Sequence, residues 1–454
     1  MASTYLQRTP STTGNRKKWT LSAWIKRSGL SSLNYLFSSY ESSSTETTIR
    51  LDSSDQLDVF NWYGNTYNGR KVTNMRFRDT NAWYHIVVNL DLDNSTADDR
   101  LQIYVNGERM TSFSTSNNPT TGSSTVFNLS SINMKLGTYD SGNLYKFDGC
   151  MAHVHWVDGL QLDADTFGET DSTTGIWKPK TSPTISDYGT NGFFLDFADS
   201  SSMGNDVSGK NNDLTVNGTM TQTIDTPSNV FATMNRLDNM HQGSSFSNGN
   251  LTVQTVNSVY TWNTATFGVS KGKYYWEVKY DATSGSNYNL IGIADRPTIN
   301  ASHYLGSVTN TSNYGYYSDN GKVYAKSGTA STFGNSYSAG DIIGVALDID
   351  NAKLYFSKNG TWQNSGVPTS GATGTGAVSI DAISSTTSGF YFPAFGDYGS
   401  TQNSTNSFNF GTGFFGTTAV ASAGTNSGIG TFEYDVPSGY KALCTKNINA
   451  QEYS

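Results

Sequence analysis

Apolar and polar residues alternate along most of this chain, and no segment keeps its apolar residues at the 3.6-residue spacing of a helix. The alternation is clearest in KWTLSAWIKRS (18–28), WYHIVVNLDLD (83–93) and MAHVHWVDG (151–159). Successive side chains of a strand point to opposite faces, so a period of two is typical of strands with one buried face. The pattern therefore predicts an all-β protein.

Two stretches in different halves of the chain contain the same turn signal. LQIYVNGERM (101–110) carries Asn106-Gly107, and KLYFSKNGTW (353–362) carries Asn359-Gly360. Asn-Gly is the pair that most readily takes positive φ at both positions of a two-residue hairpin turn. The surrounding meanders resemble those of concanavalin A-like domains, while little else matches between the halves. This implies two antiparallel concanavalin A-like β-sandwiches in tandem.

The length of 454 residues suits two or three domains. We predict a first sandwich over residues 1–170, an ordered connector rich in Pro, Gly, Asn and Asp over 171–245, and a second sandwich with a C-terminal extension over 246–454. Only 35% of the residues are hydrophobic, but 13% are aromatic. Aromatic side chains bury enough area to build a core with few aliphatic residues.

The formal net charge of −8 argues against a nucleic-acid or membrane-surface partner, because both of these polyanions favour a basic face. The N-terminal region is an exception, since basic side chains cluster there. They are Arg16, Lys17, Lys18, Lys26 and Arg27. Two interpretations remain open: a solvated strand edge, or a docking patch for an acidic partner subunit.

The N-terminal sequence MASTYLQRTPSTTGNRKK has no apolar stretch of signal-peptide length, and no segment is long and apolar enough to span a bilayer. We therefore expect synthesis in a cytoplasm, without a recognisable export signal and without membrane insertion. Cys150 and Cys444 lie in different predicted domains, so we expect neither a disulfide framework nor a zinc site.

Aromatic clusters are the best signal for a binding site. NWYGNTY (61–67) and NYGYYSDNG (313–321) place aromatic rings among Asn and Gly. The candidate ligand-binding residues are Trp62, Tyr63, Tyr67, Tyr314, Tyr316 and Tyr317. Sugars stack on such rings while Asn and Asp bind hydroxyl groups, but alternating aromatic residues are also ordinary sandwich core. Both interpretations stay open, and we expect the tyrosines to be the more exposed residues.

Catalytic motifs are missing from the sequence, which has no Ser–His–Asp signature, Gly-rich phosphate loop or HExxH. Glu277 and Asp281 share a strand face, as the carboxylates of a sandwich-fold glucanase do, but Lys279 lies between them. A solvent-facing ladder is the simpler interpretation. We predict no catalytic residues and a non-enzymatic protein.

Metal-binding patterns are weak. His153 and His155 are two residues apart and so point to one face of a strand, but the sequence offers no third ligand nearby. The acidic turns at 91–99 and 196–206 carry oxygen ligands suited to Ca²⁺, although Asp and Asn are equally expected in turns. We predict no metal site and no cofactor, with Ca²⁺ the one cation left open.

Several segments resemble known domain families. GKYYWEVKYD (272–281), IGIAD (291–295), GDIIGVALDIDNAKLYFSKNGT (340–361) and FYFPAFGDYGS (390–400) are similar to a SPRY domain. WTLSAWIKRS, WYHIVVNLD, LQIYVNGERM and KFDGCMAHVHWVDG in the first half are similar to a laminin-G-like domain. SPRY domains bind partners through loops at one end of the sandwich, and laminin-G-like domains bind glycans or proteins.

A further resemblance links FDGCMAHVHWVDGLQLDADTFGE, DTPSNVFATMN and VPSGYKALCTKNI to structural proteins of tailed phages. It implies a virion surface protein, either a tail fibre, a tail-associated protein or a capsid-surface component, that adheres to host glycans. The implied partners are other virion proteins, copies of the same chain, and a host-surface polysaccharide or receptor. Two alternatives are a glycan-binding module of a carbohydrate-active enzyme and a SPRY-type peptide-binding adaptor.

Overall fold

The computed structural model describes residues 4–239, 241, 243–257, 259–300, 302–309, 311–399 and 402–452. The chain divides into two compact units, Met1–Gln222 and Thr223–Ser454. Each unit is built almost entirely from antiparallel strands, which confirms the all-β prediction. No helix in these described ranges has the length and hydropathy needed to cross a membrane.

The first unit is a sandwich of an eight-stranded and a six-stranded sheet. Its strands are β1 (Tyr5–Arg8), β2 (Lys18–Arg27), β3 (Asn34–Ser42), β4 (Thr45–Leu51), β5 (Gln56–Tyr63), β6 (Thr66–Arg76), β7 (Trp83–Asp91), β8 (Leu101–Val105), β9 (Glu108–Arg109), β10 (Phe113–Asn117), β11 (Met134–Leu136), β12 (Gly149–Asp158), β13 (Gly168–Thr170), β14 (Trp177–Pro179), β15 (Phe193–Leu195) and β16 (Thr215–Asn217). Short 3-10 helices span Ala97–Asp99, Ser141–Asn143 and Ala164–Thr166.

The larger sheet has the order β10-β6-β5-β4-β3-β11-β1-β16, and the smaller one has the order β15-β12-β2-β7-β8-β9. Alternate residues of both sheets meet in one apolar core, which includes Leu21, Ile25, Phe37, Ile49, Val59, Ile86 and Trp156. β15 and β16 fall inside the segment predicted as a connector, yet they extend the two sheets of this first unit.

The second unit also contains two principal sheets. Its strands are β17 (Ser245–Ser247), β18 (Thr252–Gln254), β19 (Thr261–Thr264), β20 (Lys273–Thr283), β21 (Asn289–Ala294), β22 (Asn313–Tyr317), β23 (Lys322–Ala325), β24 (Thr329–Thr332), β25 (Ile342–Asp348), β26 (Lys353–Lys358), β27 (Thr361–Trp362), β28 (Val378–Ser379), β29 (Phe392–Asp397), β30 (Ser404–Asn409), β31 (Phe414–Phe415), β32 (Thr418–Ala419) and β33 (Lys441–Ala442). Helix α1 spans Thr445–Glu452, and 3-10 helices span Gln363–Ser365, Pro368–Thr373 and Ile383–Ser385.

One sheet of the second unit has the order β17-β18-β30-β20-β25-β26-β27, with β28 beside β26 and β33 beside β20. The other has the order β19-β29-β21-β22-β23-β24. The core between them is strongly aromatic and includes Tyr274, Trp276, Tyr316, Tyr337, Phe356, Phe395 and Phe408. Aromatic side chains therefore make up a large part of this core beside aliphatic ones, as the composition indicates.

Both Asn-Gly turns have the predicted backbone. Asn106 and Gly107 have φ values of 49° and 89°, and Asn359 and Gly360 have φ values of 47° and 80°. Each pair joins two short antiparallel strands, β8 to β9 and β26 to β27. Positive φ at both central positions matches the twist of the flanking strands. The hairpin prediction is confirmed in both units.

Candidate functional site

Two of the predicted ligand-binding residues share one face of the eight-stranded sheet. Trp62 near the end of β5 pairs with Tyr67 near the start of β6, and their ring centroids are 4.7 Å apart at an angle of 68°. Tyr63 follows Trp62 along β5, so its side chain points to the opposite face, where it is 57% exposed. The structure therefore brings Trp62 and Tyr67 together and separates Tyr63 from them.

Cross-strand pairing extends this surface over β3, β4, β5 and β6. Its three rows are Tyr40, Glu46, Trp62 and Tyr67; Ser38, Thr48, Phe60 and Arg70; and Tyr35, Arg50 and Asp58. The alternate positions of β4 and β5, such as Ile49 and Val59, lie in the core, so these rows form the outer face of the sheet. We call these residues the arginine–aromatic face.

Asp58 holds two guanidinium groups at the centre of the arginine–aromatic face. Its Oδ2 accepts hydrogen bonds from Arg50 Nε at 3.1 Å, from Arg50 Nη2 at 2.9 Å and from Arg70 Nη2 at 3.0 Å. Its Oδ1 accepts one from Arg70 Nε at 2.9 Å. The Asp58 side chain is fully buried, whereas those of Arg50 and Arg70 are 17% and 25% exposed. The carboxylate therefore orients both guanidinium groups while part of each reaches solvent.

Aromatic rings stack on both arginines. Arg50 Cζ lies 5.4 Å from the ring centroid of Tyr35 and 5.0 Å from that of Phe60. Arg70 Cζ lies 4.6 Å from the ring centroid of Tyr67. A guanidinium group is attracted to the negative face of an aromatic ring, and its planar fork matches planar anions. Packing and hydrogen bonding therefore fix the orientation of both side chains.

A loop after β11 borders the same face. The Tyr139 hydroxyl donates to Glu46 Oε2 at 2.7 Å, and the Tyr139 ring packs 4.8 Å from that of Tyr35. Burial raises the pKa of Glu46, against the opposing effect of the Tyr139 hydrogen bond. Tyr145 in this loop is 49% exposed at a φ of 50°. Positive φ strains a residue with a Cβ, so the loop displays this ring at an energetic cost.

The other predicted ligand-binding residues are buried in the second unit. Tyr314 and Tyr317 are 3% exposed, and Tyr316 is fully buried. Tyr314 and Tyr316 lie in the core between the sheets, where the ring of Tyr316 is 5.3 Å from that of Phe356. A ring packed in this way has no face free for a sugar. The expectation that these tyrosines are exposed is therefore wrong.

Tyr317 nevertheless belongs to a second aromatic surface, on the outer side of the six-stranded sheet of the second unit. We call this set the tyrosine surface, and its members are Tyr260, Tyr288, Tyr304, Tyr317, Tyr324 and Tyr398. All except Tyr317 are partly exposed. The rings of Tyr304 and Tyr398 are 4.4 Å apart, and those of Tyr317 and Tyr324 are 5.4 Å apart. Contiguous rings of this kind offer a broad, weakly charged binding surface.

Two residues of the predicted basic docking patch are buried. Lys26 is 3% exposed and Arg27 is fully buried, and Arg27 Nη1 donates to Asp55 Oδ1 at 2.9 Å. Both residues belong to β2 in the middle of the six-stranded sheet. Side chains buried to this extent have no surface to offer an acidic partner subunit, so their assignment to an exposed patch is wrong.

The remaining residues of that patch are half-buried and bind groups of their own unit. Lys18 Nζ lies 2.6 Å from Asp91 Oδ2, and Lys17 Nζ lies 3.4 Å from Asp93 Oδ1. Arg16 Nε donates to the Thr125 carbonyl at 2.7 Å. These contacts favour the solvated-edge interpretation, and docking by Arg16, Lys17 and Lys18 stays a prediction.

Glu277 differs from its predicted setting. It is fully buried, and it accepts hydrogen bonds from the backbone N–H groups of Glu433 and Tyr434 at 2.8 and 2.9 Å and from the Tyr275 hydroxyl at 3.0 Å. Burial raises its pKa to about 7. Asp281 accepts from the Ser407 hydroxyl at 2.6 Å. The expected solvent-facing ladder is wrong for Glu277, which instead binds the C-terminal extension to the sheet.

The two histidines of β12 are separated by a bulge, and a third histidine lies close to them. Register shifts between Ala152 and His155, with His153 at a φ of 46°. His85 on β7 is fully buried, and it accepts the Trp177 indole N–H on Nδ1 at 3.0 Å and contacts Ser22 Oγ through Nε2 at 2.8 Å. Burial and the neighbouring His153 lower the pKa of His85 to about 3.

Both histidine contacts attach a covering segment to the six-stranded sheet. The Nδ1 of His155 lies 2.8 Å from the Tyr188 hydroxyl, and its ring stacks on Phe194 at 3.9 Å. Trp177 and Tyr188 both belong to residues 160–188, which pack on the outer side of β7 and β12. The imidazoles of His85 and His155 therefore have a structural role, since each binds a side chain of this covering segment.

The acidic turns offer little to a cation. Asp91 and Asp93 bind Lys18 and Lys17, and Asp99 Oδ1 lies 2.6 Å from Arg109 Nη2. Among the residues that the structure describes, no group of three or more His, Cys, Asp or Glu side chains is arranged to hold a metal ion. A Ca²⁺ site therefore stays a sequence prediction only.

Comparison with known families agrees with both sandwiches. Residues 2–164 match the concanavalin A-like lectin/glucanases superfamily, and residues 273–411 match the SPRY domain. The chain carries a concanavalin A-like domain followed by a SPRY domain. The arginine–aromatic face belongs to the concanavalin A-like domain, and the tyrosine surface involves the SPRY domain and the residues just before it.

Curated relatives match only part of the chain. Ran-binding protein 9 of Danio rerio is 32% identical over 89 residues, which are 20% of this chain and 14% of that protein. Ran-binding protein 9 of Homo sapiens is 32% identical over 89 residues, which are 20% of this chain and 12% of that protein. The Drosophila melanogaster Ran-binding proteins 9/10 homolog is 30% identical over 91 residues, which are 20% of this chain and 9% of that protein. The chain thus spans less than a sixth of each relative.

Solved structures include the SPRY domain of human HERC1, with 18% identity, a TM-score of 0.30, and coverage of 37% of this chain and 92% of that one. Another is the heptameric SAP-like pentraxin from Limulus polyphemus, with 17% identity, a TM-score of 0.27, and coverage of 35% of this chain and 71% of that one.

Sequence reasoning missed the charged centre of the arginine–aromatic face. Arg50, Asp58 and Arg70 come from three different strands and share no motif. The available signal was alternation, because Arg50 and Asp58 occupy outward positions of strands whose inward positions are apolar. Such positions normally hold solvated residues, so their convergence depends on the pairing register, which one sequence does not reveal.

Proposed function

We propose that this protein is a non-enzymatic binding protein whose concanavalin A-like domain holds a polysaccharide on the arginine–aromatic face. The observation that carries the proposal is the pair of adjacent rings Trp62 and Tyr67, beside two arginines held by the buried Asp58. Rings supply stacking area for sugars, and fixed polar groups supply orientation. Glu277 serves a structural role and is not placed as a hydrolytic carboxylate, which supports a binding function over catalysis.

A glycan array probed with the full chain tests the proposal. We expect Trp62→Ala and Tyr67→Ala each to weaken binding about fivefold, because each removes a stacking contact of about 1 kcal/mol. Tyr63→Ala is the matched control, since it removes an exposed ring of the same hairpin from the opposite face. Equal losses in all three variants, or no binding to any glycan by the parent protein, would contradict the proposal.

A peptide-binding SPRY adaptor is the second candidate function. The tyrosine surface and the resemblance to Ran-binding protein 9, a protein named for binding Ran, support it. Selection from a peptide library with the full chain should yield binders that Tyr304→Ala and Tyr398→Ala both weaken. Phe390→Ala is the control, because this exposed ring lies beyond the other end of β29. Binders affected equally by all three variants would count against this surface.

The resemblance of three segments to tailed-phage proteins supports a further proposal, a location on a virion surface among other virion proteins and further copies of this chain. None of the relatives named above is a phage protein, so this location depends on those segments alone. Mass spectrometry of purified particles from the source culture would test it. Stoichiometric recovery would support a virion protein, and absence from intact particles would contradict it.

A further inference from the structure

We infer that the saccharide bound at the arginine–aromatic face carries a carboxylate, as a uronic-acid polysaccharide does. This inference rests on the proposed function and narrows its ligand class. It follows from the excess of hydrogen-bond donors over acceptors on the face and from the geometry of its two arginines.

Donors are in excess at the centre of the face. Two guanidinium groups together have ten N–H bonds. Four of these point to Asp58, and Arg50 Nη1 donates a fifth to the Tyr35 hydroxyl at 2.7 Å. In the part of the chain that the structure describes, the remaining five have no protein acceptor. Because both side chains are partly exposed, these N–H groups are available to a ligand.

Free acceptors are fewer than free donors on the same rows. Asp58 is fully buried and already accepts four hydrogen bonds, so it has little capacity left for a sugar hydroxyl. Glu46, the other carboxylate of the face, accepts the Tyr139 hydroxyl, and burial raises its pKa. A neutral sugar needs acceptors for its hydroxyl protons as well as donors. A carboxylate only accepts, and so it matches a face that mainly donates.

The geometry of the two arginines points to the same ligand. Arg50 and Arg70 balance the two carboxylates of the face, Asp58 and Glu46, so the preference for an anion comes from the shape of the guanidinium groups and from their free N–H bonds. A guanidinium fork binds a planar carboxylate through two parallel N–H bonds, and such charge-assisted bonds are about twice as strong as neutral ones. Stacking on Tyr35, Phe60 and Tyr67 fixes the forks beforehand, so little rotamer entropy is lost on binding.

Calorimetry of the full chain with polygalacturonate, dextran sulfate and neutral dextran of matched length tests the inference. We expect polygalacturonate to bind at least tenfold more tightly than the other two polymers. Arg70→Gln should weaken that binding about tenfold or more, and Arg70→Lys should recover only part of it, because Lys keeps the charge without the fork. Arg109→Gln is the matched control, since it removes the same charge from an exposed position on β9 of the other sheet.

Each outcome has a distinct meaning. Preference for polygalacturonate with loss in Arg70→Gln and none in Arg109→Gln supports the inference, provided that the melting temperature is unchanged. If Arg70→Gln unfolds, Arg50→Lys is measured in its place. Equal binding of dextran sulfate shows an unspecific anion site and overturns the inference. Tighter binding of neutral dextran also overturns it but leaves the proposed function standing. Failure of all three polymers overturns the inference, and it removes the proposed function as well when no glycan of the array binds.

Discussion

Buried imidazoles make the concanavalin A-like domain sensitive to acid. The Trp177 indole N–H can only donate, so its bond to His85 Nδ1 requires that this nitrogen be unprotonated. His155 is 2% exposed, and burial and nearby histidines lower its pKa well below the usual value. Tyr188, His153 and Asp196 are the other titratable groups close to this pair. Single protonation events here therefore affect the whole covering segment, residues 160–188.

We expect the unfolding free energy of this domain to fall as the pH decreases from about 6.5. The unfolded state binds a proton at position 85 near pH 6.5, whereas the folded state resists it until about pH 3. Stability is therefore fully present above pH 6.5, and His85 alone removes about 1.4 kcal/mol per pH unit between these values. Urea denaturation at pH 7, 6 and 5 measures the slope.

A matched pair of variants separates this effect from general acid instability. His85→Gln should lower stability at pH 7 but reduce the slope below pH 6.5, since the titrating group is gone. His303→Gln, at a half-buried position in the SPRY domain, should leave the slope of the first domain unchanged. An unaltered slope in His85→Gln would assign the pH dependence to other groups.

Both Asn-Gly turns require a glycine for lack of space as well as for backbone conformation. A Cβ at Gly107 would lie 3.0 Å from the Trp177 ring, and one at Gly360 would lie 2.6 Å from Cδ1 of Tyr434. Each turn therefore also supports a segment that crosses it. The sequence signal predicts positive φ but contains no information about these long-range contacts.

We expect Gly107→Ala and Gly360→Ala each to lower the unfolding free energy by roughly 1–3 kcal/mol, from backbone strain and the added contact. Gly122→Ala is the control, because its φ of 79° brings the same strain with no atom within 4 Å of the new Cβ. Differential scanning calorimetry would record the losses. If the unfolding free energy falls no more than in Gly122→Ala, the segments packed on the turns can move away from the new Cβ without a loss of stability.

Strand β22 shows where element prediction fails. For Asn313–Tyr317 the sequence leaves two interpretations open, an exposed aromatic binding segment or sandwich core, because Asn and Gly interrupt the rings. All five residues are buried, since the sandwich core covers one side and Leu305 and Val308 cover the other. Apolar and polar residues alternate only in a strand that has one solvated face. A strand that is buried on both faces therefore lacks this alternation. β20, β25 and β26, in contrast, overlap the segments 272–281 and 340–361 that resemble a SPRY domain.

At the level of the whole molecule, the fold class and both sandwiches were predictable, whereas the extent of the first sandwich was not. β15 and β16 lie beyond the predicted end at residue 170, in a segment whose turn residues suggest a connector. Phe193 and Leu195 belong to β15, and Leu214 directly precedes β16. All three side chains are nevertheless buried in the core of the first unit. Short strands added by a distant segment have too few residues to show periodicity.

We therefore expect a fragment of residues 1–222 to unfold cooperatively and a fragment of residues 1–170 to be at least roughly 5 kcal/mol less stable. The shorter fragment loses three buried side chains, each contributing about 1.5–3 kcal/mol, and leaves β1 and β12 without their outer neighbours. Urea titration followed by tryptophan fluorescence compares them. Equal midpoints would show that the added strands are dispensable.

Because β1 pairs with β16, the two strands of this pair are synthesised at very different times. Tyr5 lies opposite Asn217, so the ribosome makes this strand more than two hundred residues before its outer neighbour. At about 5–20 residues per second, that interval is on the order of ten to forty seconds. During it, the outer edge of β1 can pair with the same edge of another nascent chain on the same message. Slow translation of the codons before residue 217 lengthens this interval. Codon choice in this region therefore affects the fraction of the protein that folds without aggregating.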